Sequence, residues 1–215
     1  MREKCIIAMV GHTAAGKTTL ARFLSKRLVI PYVSEGEFKR SLKPQYTSEN
    51  SLDEELRDKG YRMAIDHCID LLFENDIVII DASFHKLIRR LWLLDALNPL
   101  HRVNVIWLYC DCPDEKVVRE RLHKRALEKD KNADNQADQF YIYKFIISTF
   151  DPVVLDDFNP LIGTAVVKIN TAQNIIIGVK KTANCNALLL NTLVESILPN
   201  YLEAKQSLLL GGLYG

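Results

Sequence analysis

The sequence lacks the features of a secreted or membrane protein. Its first apolar run, Cys5 to Val10, is followed at once by Gly11, and it is far shorter than the roughly 20 residues that cross a bilayer. Cysteine is scarce: five residues, an odd number without a repeated spacing, are not typical of a disulfide framework. Cys110 and Cys112 lack a second ligand pair at metal spacing, which favours two small residues at a strand end over zinc. We therefore expect reduced thiols and a cytoplasmic protein with no membrane association.

A strong net charge is also missing. The 28 Lys and Arg residues nearly balance the 27 Asp and Glu residues, giving a net charge of +1. That balance argues neither for nor against a nucleic-acid partner, because it can hide a local basic surface. Aromatic residues make up only 8% of the chain, and few alternate with the basic residues after Pro113, so stacking on single strands is weakly supported. The 48% apolar and 26% charged shares are those of a globular protein, and we expect one domain over residues 1–215.

The most informative segment is Cys5 to Leu20, where an apolar strand pattern, a glycine-containing loop and a helical apolar pattern follow one another. The loop has the spacing G-x-x-x-x-G-K-T of a phosphate-binding P-loop, in which glycines let backbone N–H groups turn toward phosphate oxygens. In this arrangement Lys17 adds a positive charge at the β- and γ-phosphates, and the hydroxyl of Thr18 is a ligand for Mg²⁺. The alternative is a glycine turn with an incidental lysine. The predicted ATP-binding residues are Gly11, His12, Thr13, Ala14, Ala15, Gly16, Lys17, Thr18 and Thr19.

A short apolar segment, Val29 to Val33, precedes a charged stretch that holds Glu35, Glu37 and Arg40. The carboxyl end of a parallel strand lies on the rim where ligands bind. A carboxylate there is placed to accept the proton of an attacking hydroxyl, and Arg40, three residues after Glu37 on one helical face, is placed to hold an anionic substrate. The alternative interpretation is a solvated helix start that favours acids in its first turn.

The β-branched run Ile77 to Asp81 predicts a buried parallel strand that ends in an acid. This position favours a Walker-B role, with Asp81 organising Mg²⁺ directly or through water, although Asp also ends strands simply as a turn residue. The next helix is predicted from about Lys86 to Ala96 and carries Arg89 and Arg90, for which simple solvation is one interpretation.

Residues 113–148 are predicted to form a helical lid. Arg121 and Arg125 are spaced i and i+4, an arrangement that repels slightly unless an anion lies between the two side chains. The charged run Glu128 to Asp138 is interpreted as the turn of this lid, and a solvated charged helix is the alternative. Beyond it, Thr164 to Asn170 is predicted as a strand, residues 175–179 remain undecided, and a helix with a short tail covers about 182–215.

Alternating strands and helices after a P-loop predict an α/β fold. At this point the sequence resembles the small P-loop kinases related to zeta toxins, adenylylsulfate and gluconate kinases, and polynucleotide 5′-kinases. Four pieces carry the resemblance: Gly11 to Thr18, Glu37-x-x-Arg40, Val78 to Phe84 with a following arginine, and 112–125 together with Phe150-Asp151-Pro152. It implies a three-layer P-loop NTPase sandwich with a five-stranded, mostly parallel, doubly wound sheet, helices on both faces and a helical lid.

The resemblance also implies roles: Lys17 and Thr18 for ATP and Mg²⁺, Glu37 as the base, Arg40 for the acceptor, and Arg121 and Arg125 against the transferring phosphoryl group. Asn170 to Asn174 are implied to lie near adenine. Related families typically have Asp where Glu37 stands, and Glu35 is a rival base.

The favoured function is transfer of the γ-phosphoryl group of Mg·ATP to a hydroxyl of a small molecule or nucleotide. A nucleotide-hydrolysing switch or ATP-binding regulatory protein, and a nucleic-acid 5′-hydroxyl kinase, are the alternatives. The sequence lacks the Asn-Lys-x-Asp motif by which GTPases read their base, and it lacks an Asp-x-x-Gly after the Ile77 to Asp81 strand. Both absences argue against a GTPase. The identity of the acceptor and the oligomeric state are not predicted.

Overall fold

The computed structural model describes residues 3–42, 54–100, 102–127, 139–155 and 162–211. The predicted lid turn, Glu128 to Asp138, lies outside these ranges. The strands are β1 (Lys4–Val10), β2 (Tyr32–Ser34), β3 (Ile77–Asp81), β4 (Val103–Asp111), β5 (Gly163–Asn170) and β6 (Ile175–Lys181). The helices are α1 (Lys17–Leu28), α2 (Glu35–Ser41), α3 (Glu54–Glu74), α4 (Leu87–Leu97), α5 (Glu115–Leu127), α6 (Gln139–Ser148), α7 (Ala187–Thr192) and α8 (Leu198–Gly211), with a π-helical turn, Leu193–Ile197, between the last two.

The strands form one six-stranded sheet in the order β2-β3-β1-β4-β5-β6. The first five strands are parallel and β6 runs antiparallel to β5. The α/β, mostly parallel P-loop fold predicted from the sequence is therefore confirmed. The sixth strand is the segment that the sequence pattern left undecided: most of β6 is exposed at the sheet edge, so it lacks the continuous apolar run of a buried strand.

Both faces of the sheet are covered. Along β1, Ile6, Ala8 and Val10 pack toward α3 and α4, whereas Cys5, Ile7 and Met9 pack toward α1 and the C-terminal helices. This division follows from the strand period of two, which sends successive side chains to opposite faces. Every residue of β1 after Lys4 is buried, so the central strand is held by two separate apolar layers.

The strand register brings the predicted site segments to one edge. Asp81 of β3 is the partner of Met9 in β1 and of Ser34 in β2. The P-loop, the start of α2 and the end of β3 therefore meet at the carboxyl edge of the sheet, where nucleotide-binding α/β folds place their ligands.

Arg89 and Arg90, for which solvation was one interpretation, are both fully buried in the structure. Arg89 donates to Asp58 in α3, and Arg90 donates to the carbonyl of Phe84 after β3 and to that of Pro152 after α6. A buried guanidinium needs such acceptors, and of these three only the carbonyl of Phe84 is close in the sequence. Among the described residues, no helix is long and apolar enough to cross a membrane.

Candidate active site

The P-loop between β1 and α1 has the backbone of an anion cradle. Gly11 has φ +142°, and a Cβ atom added there would lie 2.2 Å from the carbonyl oxygen of Cys110. Ala14 and Gly16 have φ values of 62° and 87°, which is the left-handed geometry that turns successive N–H groups to one side. No side chain caps the N-terminus of α1. Its free N–H groups and positive dipole end therefore face the loop, as phosphate binding requires.

His12 stabilises the loop from behind. Its Nδ1 donates to the carbonyl of Thr13 at 2.7 Å, and its Nε2 accepts from the N–H of Cys112 at 3.3 Å. Both bonds are satisfied only by the neutral ring, and burial lowers the pKa of His12 in agreement. The ring also contacts the edge of Tyr143 in α6, with centroids 5.0 Å apart. His12 thus links the P-loop to β4 and α6, a role that the sequence motif did not indicate.

Lys17 folds back over the loop and donates from Nζ to the carbonyl of His12 at 2.8 Å. Burial is the main reason that its pKa is lowered, and the nearby charges of Asp81, Arg125 and Glu35 also act on it. The side chain therefore lies among three of the groups that the sequence assigned to the site.

Asp81 and Thr18 provide oxygens suited to a magnesium ion. Asp81 is buried at the end of β3 and accepts a hydrogen bond from the hydroxyl of Tyr32 at 2.9 Å. Thr18 is half-buried in the first turn of α1. One hydroxyl and one carboxylate fit Mg²⁺, which keeps several waters and takes its remaining ligands from substrate phosphates. Across the described ranges, no group of three or more His, Cys, Asp or Glu residues is arranged to hold a metal by itself.

The structure separates the two rival carboxylates of α2. Glu35 is 7% exposed, and its Oε2 lies 3.5 Å from Nζ of Lys39. It acts electrostatically on both Lys17 and Tyr61. Glu37 is exposed, and Arg40 is half-buried. Of the two acids, only Glu35 is buried.

A chain of polar groups that sequence reasoning missed follows β3. The hydroxyl of Tyr61, in α3, accepts from the N–H groups of Ser83 and Phe84 at 3.1 and 3.0 Å and contacts Oγ of Ser83 at 2.5 Å. Oγ of Ser83 in turn lies 2.9 Å from Nδ1 of His85. The carbonyl of Ser83 accepts from the N–H of Gly11 at 3.0 Å. The chain therefore connects α3 to the P-loop.

The two buried arginines of α4 complete this region. Arg90 donates to the carbonyls of Phe84 and Pro152 at 2.9 and 2.6 Å, and so joins two pieces of sequence that the kinase resemblance had already singled out. Arg89 donates to Asp58 at 2.7 and 3.0 Å and to Glu54 at 2.7 Å. The only signal in the sequence was the arginine after Phe84, which did not show which of the two neighbours was meant.

Arg121 and Arg125 of α5 have different surroundings. The guanidinium of Arg121 donates to the carbonyl of Ala14 at 3.1 Å and to the carbonyl and hydroxyl of Thr171 at 2.6 and 3.2 Å. It therefore connects the P-loop to the turn after β5. Arg125 is half-buried and close enough to Lys17 for the two charges to interact.

A cleft of about 370 Å³ lies beside the P-loop, between α5, the β5–β6 turn and α8. The walls that α8 contributes were not expected from the sequence, which placed only Asn170 to Asn174 near a bound base. The side chain of Asn170 closes that turn by accepting from the N–H groups of Ala172 and Gln173. The lining residues are Ala14, Gly16, Thr19, Leu20, Arg121, Lys124, Arg125, Ile169, Thr171, Asn174, Tyr201, Leu202 and Lys205.

Cys110 and Cys112 are both buried at the end of β4, as expected for small residues at a strand end. Burial raises the pKa of Cys110 to about 12. Desolvation disfavours the charged thiolate, so the buried Cys110 thiol stays protonated at neutral pH. These two residues therefore support the P-loop by packing: the carbonyl of Cys110 faces Gly11, and Cys112 holds His12.

Comparisons with known proteins also indicate a P-loop kinase-like fold. The family described as "AAA domain" matches residues 6–144, more than half of the chain. No curated protein sequence matches the chain significantly. Among solved structures, a candidate kinase from Chloroflexus aurantiacus superposes with a TM-score of 0.57 at 19% identity, covering 81% of this chain and 92% of that one.

Two further structures are similar at this level. Chaetomium thermophilum Kti12 in complex with ADP-AlF3 gives a TM-score of 0.54 at 20% identity, covering 78% of this chain and 90% of that one. A fungal RNA kinase gives 0.55 at 12% identity, covering 79% of this chain and 77% of that one. These likenesses show a shared P-loop kinase-like fold and agree with the resemblance drawn from the sequence.

Proposed function

The chain belongs to the AAA domain family, and from this premise we propose that it is an ATP-dependent phosphotransferase. It transfers the γ-phosphoryl group of Mg·ATP to a hydroxyl group of a small molecule or nucleotide. One observation carries the proposal: a buried carboxylate, Glu35, lies at the strand edge beside the P-loop and acts electrostatically on Lys17. A carboxylate on the acceptor side of the phosphates is placed to accept the proton of the attacking alcohol.

In this proposal the triphosphate of ATP lies in the P-loop, Gly11 to Thr19. The adenine ring occupies the cleft lined by Thr171, Asn174 and Tyr201. Backbone N–H groups and the start of α1 stabilise the phosphate charge. Lys17 exchanges its bond to the carbonyl of His12 for phosphate oxygens, which is favourable because a buried ammonium group gains an anionic partner.

Thr18 and Asp81 would hold Mg²⁺, which, when bound, neutralises charge on the β- and γ-phosphates. Tyr32 fixes the Asp81 carboxylate through a hydrogen bond of 2.9 Å. This hydrogen bond supports the interpretation that Asp81 is held in place to organise Mg²⁺, over the alternative that it is only a turn residue.

On the side of the site where the alcohol substrate binds, Glu35 takes the proton of the attacking hydroxyl in place of Glu37. The acceptor hydroxyl approaches in line with the γ-phosphoryl group, passes its proton to Glu35 as the new O–P bond forms, and ADP leaves. Glu35 suits this role because it is buried, whereas the side chain of Glu37 is exposed. Arg40, half-buried at the end of α2, is assigned to acceptor binding as the resemblance implied.

We also propose that residues 1–215 act as one domain in which 113–148 is a lid and 182–215 a C-terminal helical element. Lid closure excludes water as a competing acceptor. Arg125 is assigned to the transferring phosphoryl group. Arg121 is assigned to positioning, because its guanidinium is occupied by the carbonyls of Ala14 and Thr171.

The experiment is a screen of ADP release over sugars, nucleosides, adenylylsulfate, antibiotics and 5′-hydroxyl oligonucleotides. We expect slow ATP hydrolysis alone and fast ADP release with the right acceptor, together with transfer of radiolabelled phosphate to it. Lys17→Ala, run in parallel, should remove both activities. Release that no acceptor accelerates would contradict a kinase.

A second candidate is a nucleotide hydrolase that acts on a partner protein, and the similarity to Kti12 bound to ADP-AlF3 favours it. Such a protein would hydrolyse ATP without dependence on an alcohol, and Arg40→Ala would leave its rate unchanged. A third outcome, phosphorylation of 5′-hydroxyl oligonucleotides with strong salt sensitivity, would identify a nucleic-acid kinase.

A further inference from the structure

Three nitrogen-bearing side chains are buried together on the acceptor side of the site. Arg57 in α3 is 6% exposed, and His85 and Arg89 are fully buried. Two of them adjoin the polar chain that begins at Tyr61: Ser83 is hydrogen-bonded to His85, and the guanidinium of Arg89 lies over the ring of Tyr61 at 4.6 Å. Arg57 joins the group through Glu54, with which both arginines form ion pairs. Since the carbonyl of Ser83 is bonded to Gly11, this group of side chains is continuous with the P-loop.

Each of these side chains has one buried nitrogen without a hydrogen-bond partner: Nη1 of Arg57, Nε2 of His85 and Nη1 of Arg89. One buried acceptor in the same place also lacks a hydrogen bond, Oε1 of Glu54, which lies 3.8 Å from Nη1 of Arg57. Buried polar atoms are nearly always paired in native proteins, so three unpaired ones at one place require an explanation. A bound anion that accepts hydrogen bonds from these nitrogens is such an explanation.

The hydrogen-bond network identifies Nε2 of His85 as a donor. The hydroxyl of Tyr61 already accepts from two N–H groups, so its own proton is directed to Oγ of Ser83. The proton of Ser83 is then satisfied by Nδ1 of His85, which leaves the hydrogen on Nε2. The pKa of His85 is lowered to about 2, chiefly by burial and then by Arg89 and Arg57, so the ring stays neutral. All three unpaired nitrogens are therefore N–H donors.

Three cations share two carboxylates in the ion pairs around these donors, which leaves these pairs with one positive charge in excess. Arg57, Lys86 and Arg89 are the cations, and Glu54 and Asp58 are the carboxylates. One of them, Glu54, is shared by all three cations, at 3.8 Å from Arg57, 2.9 Å from Lys86 and 2.7 Å from Arg89. The distance to Arg57 exceeds a hydrogen bond, so this cation is the least neutralised of the three.

From these observations we propose that Arg57, His85 and Arg89 bind a compact anionic group of the phosphoryl acceptor, a carboxylate, phosphate or sulfate. The acceptor is then a small alcohol that already carries a negative charge. This inference rests on the proposed kinase function, because it describes the acceptor of that reaction. A compact terminal anion matches the site, since donors this deeply buried are reached by a single small group and not by a continuous nucleic-acid backbone.

The first test measures anion binding without catalysis. Inorganic phosphate, sulfate and acetate are titrated by calorimetry into the full chain saturated with Mg²⁺ and the non-hydrolysable ATP analogue AMPPNP, so that the P-loop is filled. We expect saturable binding of at least one anion, weakened about tenfold or more by Arg57→Met, which is the loss of one charge-assisted hydrogen bond. The three anions distinguish a carboxylate site from a phosphate or sulfate site.

Two variants make the result specific. Arg62→Met removes the same charge from the exposed face of the same helix and should leave anion binding unchanged. Glu54→Gln should strengthen anion binding several-fold, because the positive excess grows by one charge. A merely structural role for the cluster predicts that neither Arg57→Met nor Glu54→Gln changes the affinity for the anion. No saturable binding to the AMPPNP complex, or equal losses in Arg57→Met and Arg62→Met, would overturn the proposal.

The second test uses pairs of alcohols that differ by one anionic group, such as glycerol with glycerate and glycerol 3-phosphate, or adenosine with its 5′-phosphate. We expect kcat/KM to be about tenfold or more higher for the charged member, and this preference to be lost in Arg57→Met. Phosphorylation of neutral alcohols only, or of oligonucleotides in preference to small anions, would reject the anionic acceptor while leaving a kinase. Failure to bind Mg·AMPPNP at all would reject the proposed function itself.

Discussion

The P-loop half of the site is one continuous segment, whereas the acceptor half is assembled from α2, α3, α4 and the end of β3. The P-loop holds anions with backbone N–H groups and one ammonium group, and its shape depends on Gly11, whose missing side chain leaves room for the carbonyl of Cys110. The acceptor half depends on side chains instead. Its carboxylates and guanidiniums come from positions as far apart as Glu35 and Arg89 and are held by mutual hydrogen bonds and ion pairs.

This difference determines how each half should respond to substitution. In the P-loop half most of the binding comes from the backbone, which only Lys17 and Thr18 supplement, so few single side chains matter and those that do matter greatly. In the acceptor half each charged group stabilises another. A substitution there should change stability and chemistry together unless it preserves shape and hydrogen bonding.

The largest effect should come from Lys17→Ala. We expect Mg·ATP binding to weaken by about 10²- to 10³-fold, because a buried ammonium group is removed from the phosphate charge. The measurement is the dissociation constant of a fluorescent ATP analogue. Lys26→Ala, an exposed lysine on the same helix, is the matched control and should bind ATP normally. An unchanged ATP affinity in Lys17→Ala would mean that the loop does not hold a triphosphate.

In the acceptor half, Glu35→Gln should separate catalysis from ATP binding. We expect kcat with the identified acceptor to fall by about 10²-fold, at the low end for a general base because phosphoryl transfer depends mainly on positioning and charge. The ATP dissociation constant should remain the same. Glu37→Gln, two residues away on an exposed position, should have almost no effect. The reverse pattern would restore Glu37 as the base.

Much of the fold and of the P-loop half could be predicted from the sequence, because the information is local. Apolar runs of one strand length, such as Ile77 to Asp81, predict buried parallel strands. The spacing between Gly11 and Lys17 predicts a phosphate loop by itself. The edge strand Ile175–Lys181 was not predicted, because its exposed positions carry apolar and basic residues in no clear alternation.

The acceptor half could not be predicted in the same way, because its geometry depends on tertiary contacts. Nothing next to Arg89 in the sequence indicates that it is buried, since its acceptors Glu54 and Asp58 are more than 30 positions away. The choice between Glu35 and Glu37 depends on which face of a seven-residue helix is covered by α3. A periodicity argument cannot make that choice for so short a helix.

The pH dependence of the free energy of unfolding should report on His85, the buried histidine of the acceptor half. The pKa of His85 is about 2 in the folded chain and about 6.5 in an unfolded one. Between these values the unfolded state binds the extra proton, so stability is complete above about pH 6.5 and falls as the pH falls below it. From pH 7 to pH 5 this group should cost about 2 kcal/mol of unfolding free energy.

Urea unfolding of the wild type and of His85→Gln at pH 7 and pH 5 measures this cost. The variant should lose less stability between the two pH values than the wild type does, by about 2 kcal/mol. His12→Gln should flatten the profile as well, because burial lowers the pKa of His12 too. Identical pH profiles for the wild type and His85→Gln would mean that His85 is accessible to protons in the folded chain.

The smallest expected effects are those of the two lid arginines, and they test whether α5 belongs to the nucleotide half or to the chemistry. Arg121 is hydrogen-bonded to the backbone of the P-loop and of the turn after β5. Arg121→Ala should therefore weaken ATP binding about tenfold and lower turnover at saturating ATP much less, because loss of a hydrogen-bonded positioning group costs about 1–2 kcal/mol.

Arg125→Ala should do the opposite and lower kcat about tenfold at nearly constant ATP affinity, as expected for a group that acts on the phosphoryl group only during transfer. Stopped-flow binding and steady-state kinetics on both variants separate the two parameters, with the exposed lid-helix variant Arg119→Ala as the control. Equal losses of affinity and turnover in both variants would remove this distinction and make α5 a uniform electrostatic wall of the nucleotide cleft.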